Sequence, residues 1–155
     1  MKLNYSNCFS IIDNNQKANI DQGKIGSQED YNIITHAHSD HISISTQKTF
    51  TTKETSALIG LQTSKQLDYS FLNCAQQDLT DNIKIQALNA GHILGSKMFY
   101  FETKEKTLLY TGDFRARDSL LFSGAQPRQA DVLIIETTFG KKEFNFPDVE
   151  ETYSD

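Results

Sequence analysis

The sequence predicts a mixed α/β (α+β) domain, a β-sheet flanked by helix, whose strand ends converge on one polar rim. Three observations lead there. Short apolar runs rich in β-branched and aromatic residues are separated by turn residues. One stretch, over about residues 53–66, has helical character. One strand after another stops at a histidine or an acidic side chain.

The elements follow in chain order. Residues 8–12 and 17–21 read as two strands around Asp13-Asn14-Asn15-Gln16, an opening hairpin. The second ends in Asp21-Gln22-Gly23, which puts a carboxylate at a strand exit, although Asp21 alone also reads as an ordinary turn aspartate. Residues 24–30 form a polar connection. Residues 31–35 are a short buried strand that opens into His36-Ala37-His38-Ser39-Asp40-His41. A short strand over 48–51 precedes the helix, with Thr51 or Thr52 as its cap, Glu54 in its first turn, and Ala57, Leu58 and Leu61 on its inner face. Tyr69, Phe71 and Leu72 are packing residues.

Residues 83–88 alternate as a half-buried strand and lead into Asn89-Ala90-Gly91-His92, where Gly91 and Gly95 let the backbone bring His92 close to another group. Residues 98–102 and 107–111 form a hairpin whose second strand opens into Gly112-Asp113-Phe114. Residues 131–135 are a buried strand that stops at Glu136. If these strands lie side by side, Asp21, His36, His92, Asp113 and Glu136 become neighbours.

The stretch 36–41 holds three of the four histidines of the chain. In extended backbone, residues two apart point the same way, so His36 and His38 can offer imidazole nitrogens to one ion. As the chain turns, Asp40 and His41 can swing toward a second position. Mixed imidazole and carboxylate donors suit zinc above all, with manganese or iron as alternatives. Two ions about 3.5–4 Å apart would activate a water between them, which implies hydrolysis.

Composition narrows the classes. A length of 155 residues with 37% hydrophobic residues suits one domain with a packed core. The net charge of −5 gives no dedicated nucleic-acid-binding surface, yet it leaves a nucleic-acid substrate open, because metal ions supply local positive charge. Cys8 and Cys74 form no C-x-x-C pair and read as buried or indifferent thiols. The N-terminus has no apolar signal-type run and no segment reaches membrane-spanning length, so the expected location is cytoplasmic and no membrane partner is expected.

His36-Ala37-His38-Ser39-Asp40-His41, the Gly91-His92 turn, Thr111-Gly112-Asp113-Phe114 and Glu136-Thr137-Thr138-Phe139-Gly140 together resemble the metallo-β-lactamase superfamily, in particular its nucleic-acid-processing β-CASP branch. Within that branch, Ala90-Gly91-His92-Ile93-Leu94-Gly95-Ser96 and the Glu136 context resemble the mRNA 3′-end processing endonucleases. The likeness runs over about residues 8–140. It implies the first part of an αβ/βα sandwich, about one sheet and its helices, over 1–140. Residues 141–155 would be an acidic tail or the start of a β-CASP region.

The resemblance also implies roles. His36, His38 and His92 would hold one zinc, Asp40 and His41 a second, and Asp113 would bridge them. Asp21 matches a carboxylate that supports the ligand loop from behind. Glu136 matches an acidic residue that works with a later histidine in protonating the leaving oxygen. Asp40, Asp113 and Glu136 would thus take part in catalysis. The implied reaction is hydrolysis of an RNA phosphodiester by hydroxide held between the two metals, leaving a 5′-phosphate.

No histidine follows His92. The last ligand of the second zinc and the general acid are therefore expected from a further metallo-β-lactamase/β-CASP segment, in cis or in trans, and this chain alone is expected to cleave poorly. An open sheet face would leave an apolar patch. The competing readings are a DNA-processing β-CASP nuclease, a small-molecule metallo-hydrolase, and an inactive binding or structural subunit. Retention of every ligand expected in this stretch weighs against the last.

Overall fold

The computed structural model describes residues 1–5, 8–14, 16–21, 31–42, 48–64, 69–72 and 75–147. Within them the chain forms two mixed sheets and one helix, the expected α+β class. The first sheet holds six strands in chain order: β1 (Lys2–Tyr5), β2 (Phe9–Asp13), β3 (Gln16–Ile20), β4 (Tyr31–Ile33), β5 (Thr49–Thr51) and β6 (Tyr69–Phe71). β2 and β3 make the expected hairpin. From β3 onward neighbours are parallel, which demands crossover connections; α1 (Lys53–Thr63) is the one between β5 and β6.

The second sheet holds β7 (Gln77–Asp78), β8 (Lys84–Asn89), β9 (Lys97–Glu102), β10 (Thr107–Tyr110) and β11 (Val132–Ile134), in the spatial order β11-β10-β9-β8-β7. β9 is antiparallel to both neighbours, and β11 is parallel to β10. β8, β10 and β11 therefore run the same way and end at the same edge.

The main core joins the two sheets. Ile11, Ile20, Ile33 and Phe50 from the first meet Ile85, Phe99, Phe101 and Leu108 from the second. Phe99 and Phe101 are fully buried, and each such side chain contributes about 1.5–3 kcal/mol relative to exposure. Along β8, Ile85 and Ala87 point inward and Lys84 outward, the period-two alternation seen in the sequence. A smaller cluster of Ile34, Ala37 and Ile59 seats α1 against the carboxyl end of β4.

Four expectations are corrected. The chain builds two sheets rather than about one, because residues 77–134 pair among themselves and face the first sheet across the core. β1, β6 and β7 are additional strands. The helix buries Thr55 and Ile59, whereas Ala57 is exposed and Leu61 is 82% exposed; only Leu58 of the expected face is partly buried. Ala57, Leu58, Ile59 and Leu61 spread over more than half of the helix circumference, so periodicity singles out no narrow face, and the cluster of Ile59 with Ile34, Ala37 and Ile93 decides it. Gly95, at φ +81°, lets the loop before β9 lie where a Cβ would come within 2.8 Å of Thr52 and Glu54. Finally, β11 is an edge strand rather than a buried one, with Leu133 54% and Ile135 47% exposed. Phe71, expected to pack, is 47% exposed as well.

Other expectations hold. Thr52 caps α1, its hydroxyl accepting from the Thr55 amide at 3.2 Å, and Glu54 sits in the first turn. Helix residues 65–66, the polar connection 24–30, Cys74 and the tail 148–155 lie outside the described residues. Cys8 is a buried free thiol. Among the described residues no helix is long and apolar enough to cross a membrane.

Candidate metal centre

Asp21 follows β3, the 36–41 loop follows β4, His92 follows β8, Asp113 follows β10 and Glu136 follows β11. Every one leaves the carboxyl end of a strand. The parallel alignment of β3 with β4 and the shared direction of β8, β10 and β11 bring these ends to one rim. The sequence expectation of convergence is met across both sheets.

The side chains meet closely. His36 Nε2 lies 3.0 Å from His38 Nδ1, which lies 3.2 Å from His92 Nε2. Oδ2 of Asp113 is 3.6 Å from both His36 Nε2 and His92 Nε2. One donor atom from each of these four residues falls within 4.8 Å of all the others. The other oxygen of Asp113, Oδ1, is 3.6 Å from His41 Nε2, which in turn is 3.6 Å from Oδ2 of Asp40. Asp113 thus faces two neighbouring positions, one with each oxygen.

Charge is distributed unevenly over the rim. Burial, together with the adjacent His41, His92 and His38 imidazoles, pushes His36 down to about 3, so it is neutral and has a free lone pair at neutral pH. His92 is also lowered, mainly by burial, with Asp113 opposing. His41 goes the other way: burial lowers it, but the hydrogen bond to Asp21 and the charges of Asp21, Asp113 and Asp40 outweigh that and raise it.

Two further carboxylates hold hydrogen bonds around the cluster. Asp21 Oδ2 accepts from His41 Nδ1 at 3.0 Å, from the Thr35 hydroxyl at 2.8 Å and from the Tyr110 hydroxyl at 3.4 Å, while Oδ1 accepts from the Thr35 amide at 2.9 Å. With four donors around it, this carboxylate is a fixed acceptor, which favours it as support over the turn-residue alternative. Glu136 accepts from the Phe114 amide at 3.3 Å and the Thr138 amide at 3.1 Å. Burial raises its pKa, but these bonds outweigh burial and hold it below the usual carboxylate range. Glu136 also lines a small cleft of about 110 Å³ with His41 and Asp113.

Sequence reading missed three supports. Tyr110 was an anonymous apolar strand residue, Thr35 a β-branched strand end, and Ser96 part of a loop. Ser96 Oγ accepts from the His92 and Ile93 amides, both at 3.2 Å, and so shapes the turn that presents His92, in which Gly91 has φ +68°. Thr35 and Ser96 carry an advance signal, a hydroxyl one and four positions from a histidine, whereas nothing local marks Tyr110, 18 positions beyond His92.

The donor set fits a divalent metal. Two imidazole nitrogens approach the same atom, His38 Nδ1, at 3.0 and 3.2 Å; that nitrogen has either one proton or one lone pair and cannot make a full hydrogen bond to both, so a cation among them would relieve lone-pair repulsion. A tetrahedral zinc with ligands at about 2.0–2.1 Å separates its ligand atoms by about 3.3–3.4 Å. Four of the six separations among the donors of His36, His38, His92 and Asp113, at 3.0–3.6 Å, lie on either side of that value, and all six are within 4.8 Å.

No family model matches the chain. Individual relatives do. Residues of the chain are 46% identical over 67 positions to an RNase J-like protein of Methanocaldococcus jannaschii, covering 42% of this chain and 16% of the relative. Identity is 45% over 62 positions with cleavage and polyadenylation specificity factor subunit 3 of Dictyostelium discoideum, covering 39% of this chain and 8% of the relative. It is 31% over 125 positions with the DNA cross-link repair 1A protein of Mus musculus, covering 77% and 12%. The chain therefore spans only a small part of the curated relatives it matches. Among solved structures, a protein of unknown function from Enterococcus faecalis V583 superimposes with a TM-score of 0.56 at 14% identity, over 70% of this chain and 40% of that one. The E377D mutant of the CmlA β-hydroxylase does so with a TM-score of 0.55 at 13% identity, over 70% and 29%. At such identities the likeness is one of fold.

Proposed function

Because the chain, over the stretch it shares with its relatives, has the metallo-β-lactamase fold and is kin to the β-CASP members of that superfamily, we propose that it is the metal-holding part of a nuclease. The observation that carries this reading is the convergence of His36, His38, His92 and Asp113 within 4.8 Å. The substrate is a nucleic-acid phosphodiester, RNA in the first place, since the relatives named above at 45–46% identity are an RNase J-like protein and a cleavage and polyadenylation specificity factor subunit. A second reading, DNA as substrate, is favoured by the DNA cross-link repair relative, whose match extends over the largest share of this chain among the three named above.

His36, His38, His92 and Asp113 would hold one ion, with zinc best suited to this donor set. Asp40 and His41, with Asp113, would supply part of the coordination of a second. Bound there, divalent ions supply Lewis acidity toward a phosphoryl oxygen and lower the pKa of water. The protein's own work is positional. Asp21 keeps His41 turned so that Nε2 faces the rim. Glu136 grips the Phe114 amide and so sets the turn that carries Asp113. The remaining ligand and the proton donor to the leaving oxygen belong to residues outside this stretch, in the same or a partner polypeptide, in keeping with relatives several times longer.

The test has two arms. Elemental analysis of the purified, folded 155-residue chain should find close to one divalent ion per molecule, and none would overturn the metal assignment. A longer protein containing this chain should cleave labelled RNA in a chelator-sensitive manner, faster than DNA of the same sequence. Preference for DNA would select the second reading, and cleavage of neither would end the nuclease proposal.

A further inference from the structure

Thr35 stands between three parts of the rim and belongs to none of the ligand sets. Its hydroxyl is 2.8 Å from Asp21 Oδ2 and 3.0 Å from His36 Nδ1, and it is fully buried with both. A hydroxyl has one proton to donate. The carboxylate can only accept, so that proton goes to Asp21, and the oxygen's lone pair is what remains for the histidine. His36 must then carry its proton on Nδ1 and donate it to Thr35. Nε2 is left bare, and Nε2 is the atom that faces His38 and Asp113.

The hydroxyl is also held from outside. Gly112, the residue before Asp113, sits at φ +52°, and a Cβ placed there would come within 2.9 Å of the Thr35 Cβ, Cγ2 and Oγ1. The backbone of the Asp113 turn therefore lies directly on the Thr35 side chain and restricts its rotamer. The Thr35 carbonyl accepts from the Lys97 amide at 3.0 Å, at the first residue of β9, and its amide donates to Asp21. One residue thus ties the first sheet to the second where the ligands emerge.

We propose that Thr35 is a positioning residue that selects which nitrogen of His36 faces the metal, by relaying the Asp21 carboxylate through its hydroxyl to Nδ1. The proposal deepens the metal-centre reading and rests on it for its functional meaning. Its structural content stands without metal: the tautomer of His36 is set by Thr35 in the chelator-treated chain too.

The experiment compares wild type, Thr35→Val and Thr35→Ser in the full 155-residue chain. Long-range ¹H–¹⁵N spectra of the metal-free proteins should show His36 as the Nδ1–H tautomer in wild type and Thr35→Ser. In Thr35→Val, which keeps the shape but strips the hydroxyl, a mixture or the Nε2–H form is expected. Zinc affinity, read by competition with a chromophoric chelator, should fall about 10–100-fold in Thr35→Val, the usual cost of losing such a support, and stay within about threefold in Thr35→Ser. An Nε2–H histidine in wild type would overturn the proposal, as would wild-type affinity in Thr35→Val or equal loss in both variants, which would make the role one of packing. If Thr35→Val fails to fold, the wild-type and Thr35→Ser spectra still decide. A wild type that shows the Nδ1–H form but takes up no zinc would instead refute the metal reading and leave the relay intact.

Discussion

The two halves of the rim are built differently. On one side, His36, His38 and His92 with Oδ2 of Asp113 make a close four-atom cluster anchored in fully buried backbone around His36. On the other, His41 and Asp40 with Oδ1 of Asp113 make an open set in which the Asp40 side chain is 75% exposed. The difference teaches that four donor atoms of the first half already lie together within this stretch, whereas the second half presents fewer and more exposed ones. Among these residues Asp113 alone faces both halves, one with each oxygen.

The widest effect should come from Asp113→Asn. One position loses its oxygen donor and both lose the carboxylate charge, and a change worth several kcal/mol of transition-state charge stabilisation corresponds to at least about 10³-fold in hydrolysis by the longer protein. Activity within tenfold of wild type would remove Asp113 from its role. Next, His92→Ala and Asp40→Asn should separate the halves. The first should empty this chain of its tightly held ion, the second should leave about one ion in place, and elemental analysis reads the outcome directly. Equal losses would show that the halves are not distinct. Smaller again is Asp21→Asn, which weakens support for His41 and should cost about 10–100-fold in metal affinity with the fold intact.

The gentlest probe is pH. In chelator-treated chain, His36 is pushed down to about 3 in the fold against 6.5 when unfolded, so the unfolded state binds more protons between those values. Stability should therefore fall as pH drops from about 6.5 toward 3. His41, raised in the fold, stabilises fully below its ordinary value, and that contribution is lost as pH rises through its folded pKa. Urea midpoints should decline as pH falls below about 6.5 and decline again as pH rises through the folded pKa of His41, and His41→Gln should abolish the second decline alone. A flat profile would erase the electrostatic contrast between the halves.

Much of this was legible early. His36, His38, Asp40 and His41 lie within six residues, so their meeting follows from local backbone and needs no long-range information. The α+β class and the β2–β3 and β9–β10 hairpins were equally local, resting on turn residues and alternation. Periodicity points to the wrong helix face because Ala57, Leu58, Ile59 and Leu61 offer apolar surface in several directions, and the packing of Ile59 with Ile34, Ala37 and Ile93 chooses among them. β11 was read as buried because Val132, Leu133, Ile134 and Ile135 are all apolar, and composition cannot tell an edge from a centre.

By itself, then, the sequence determined the ligand types, their local spacing and the strand on which each is carried, since covalent connectivity and side-chain periodicity act over a few residues. Tertiary structure alone decided that the strand ends share a direction, that Asp113 turns one oxygen to each half of the rim, and that Tyr110 reaches Asp21 across 89 positions of chain. Those outcomes follow from how two sheets register on a common core. That register is set by the summed packing of Ile, Phe and Leu side chains far from the site, which no short stretch of sequence contains.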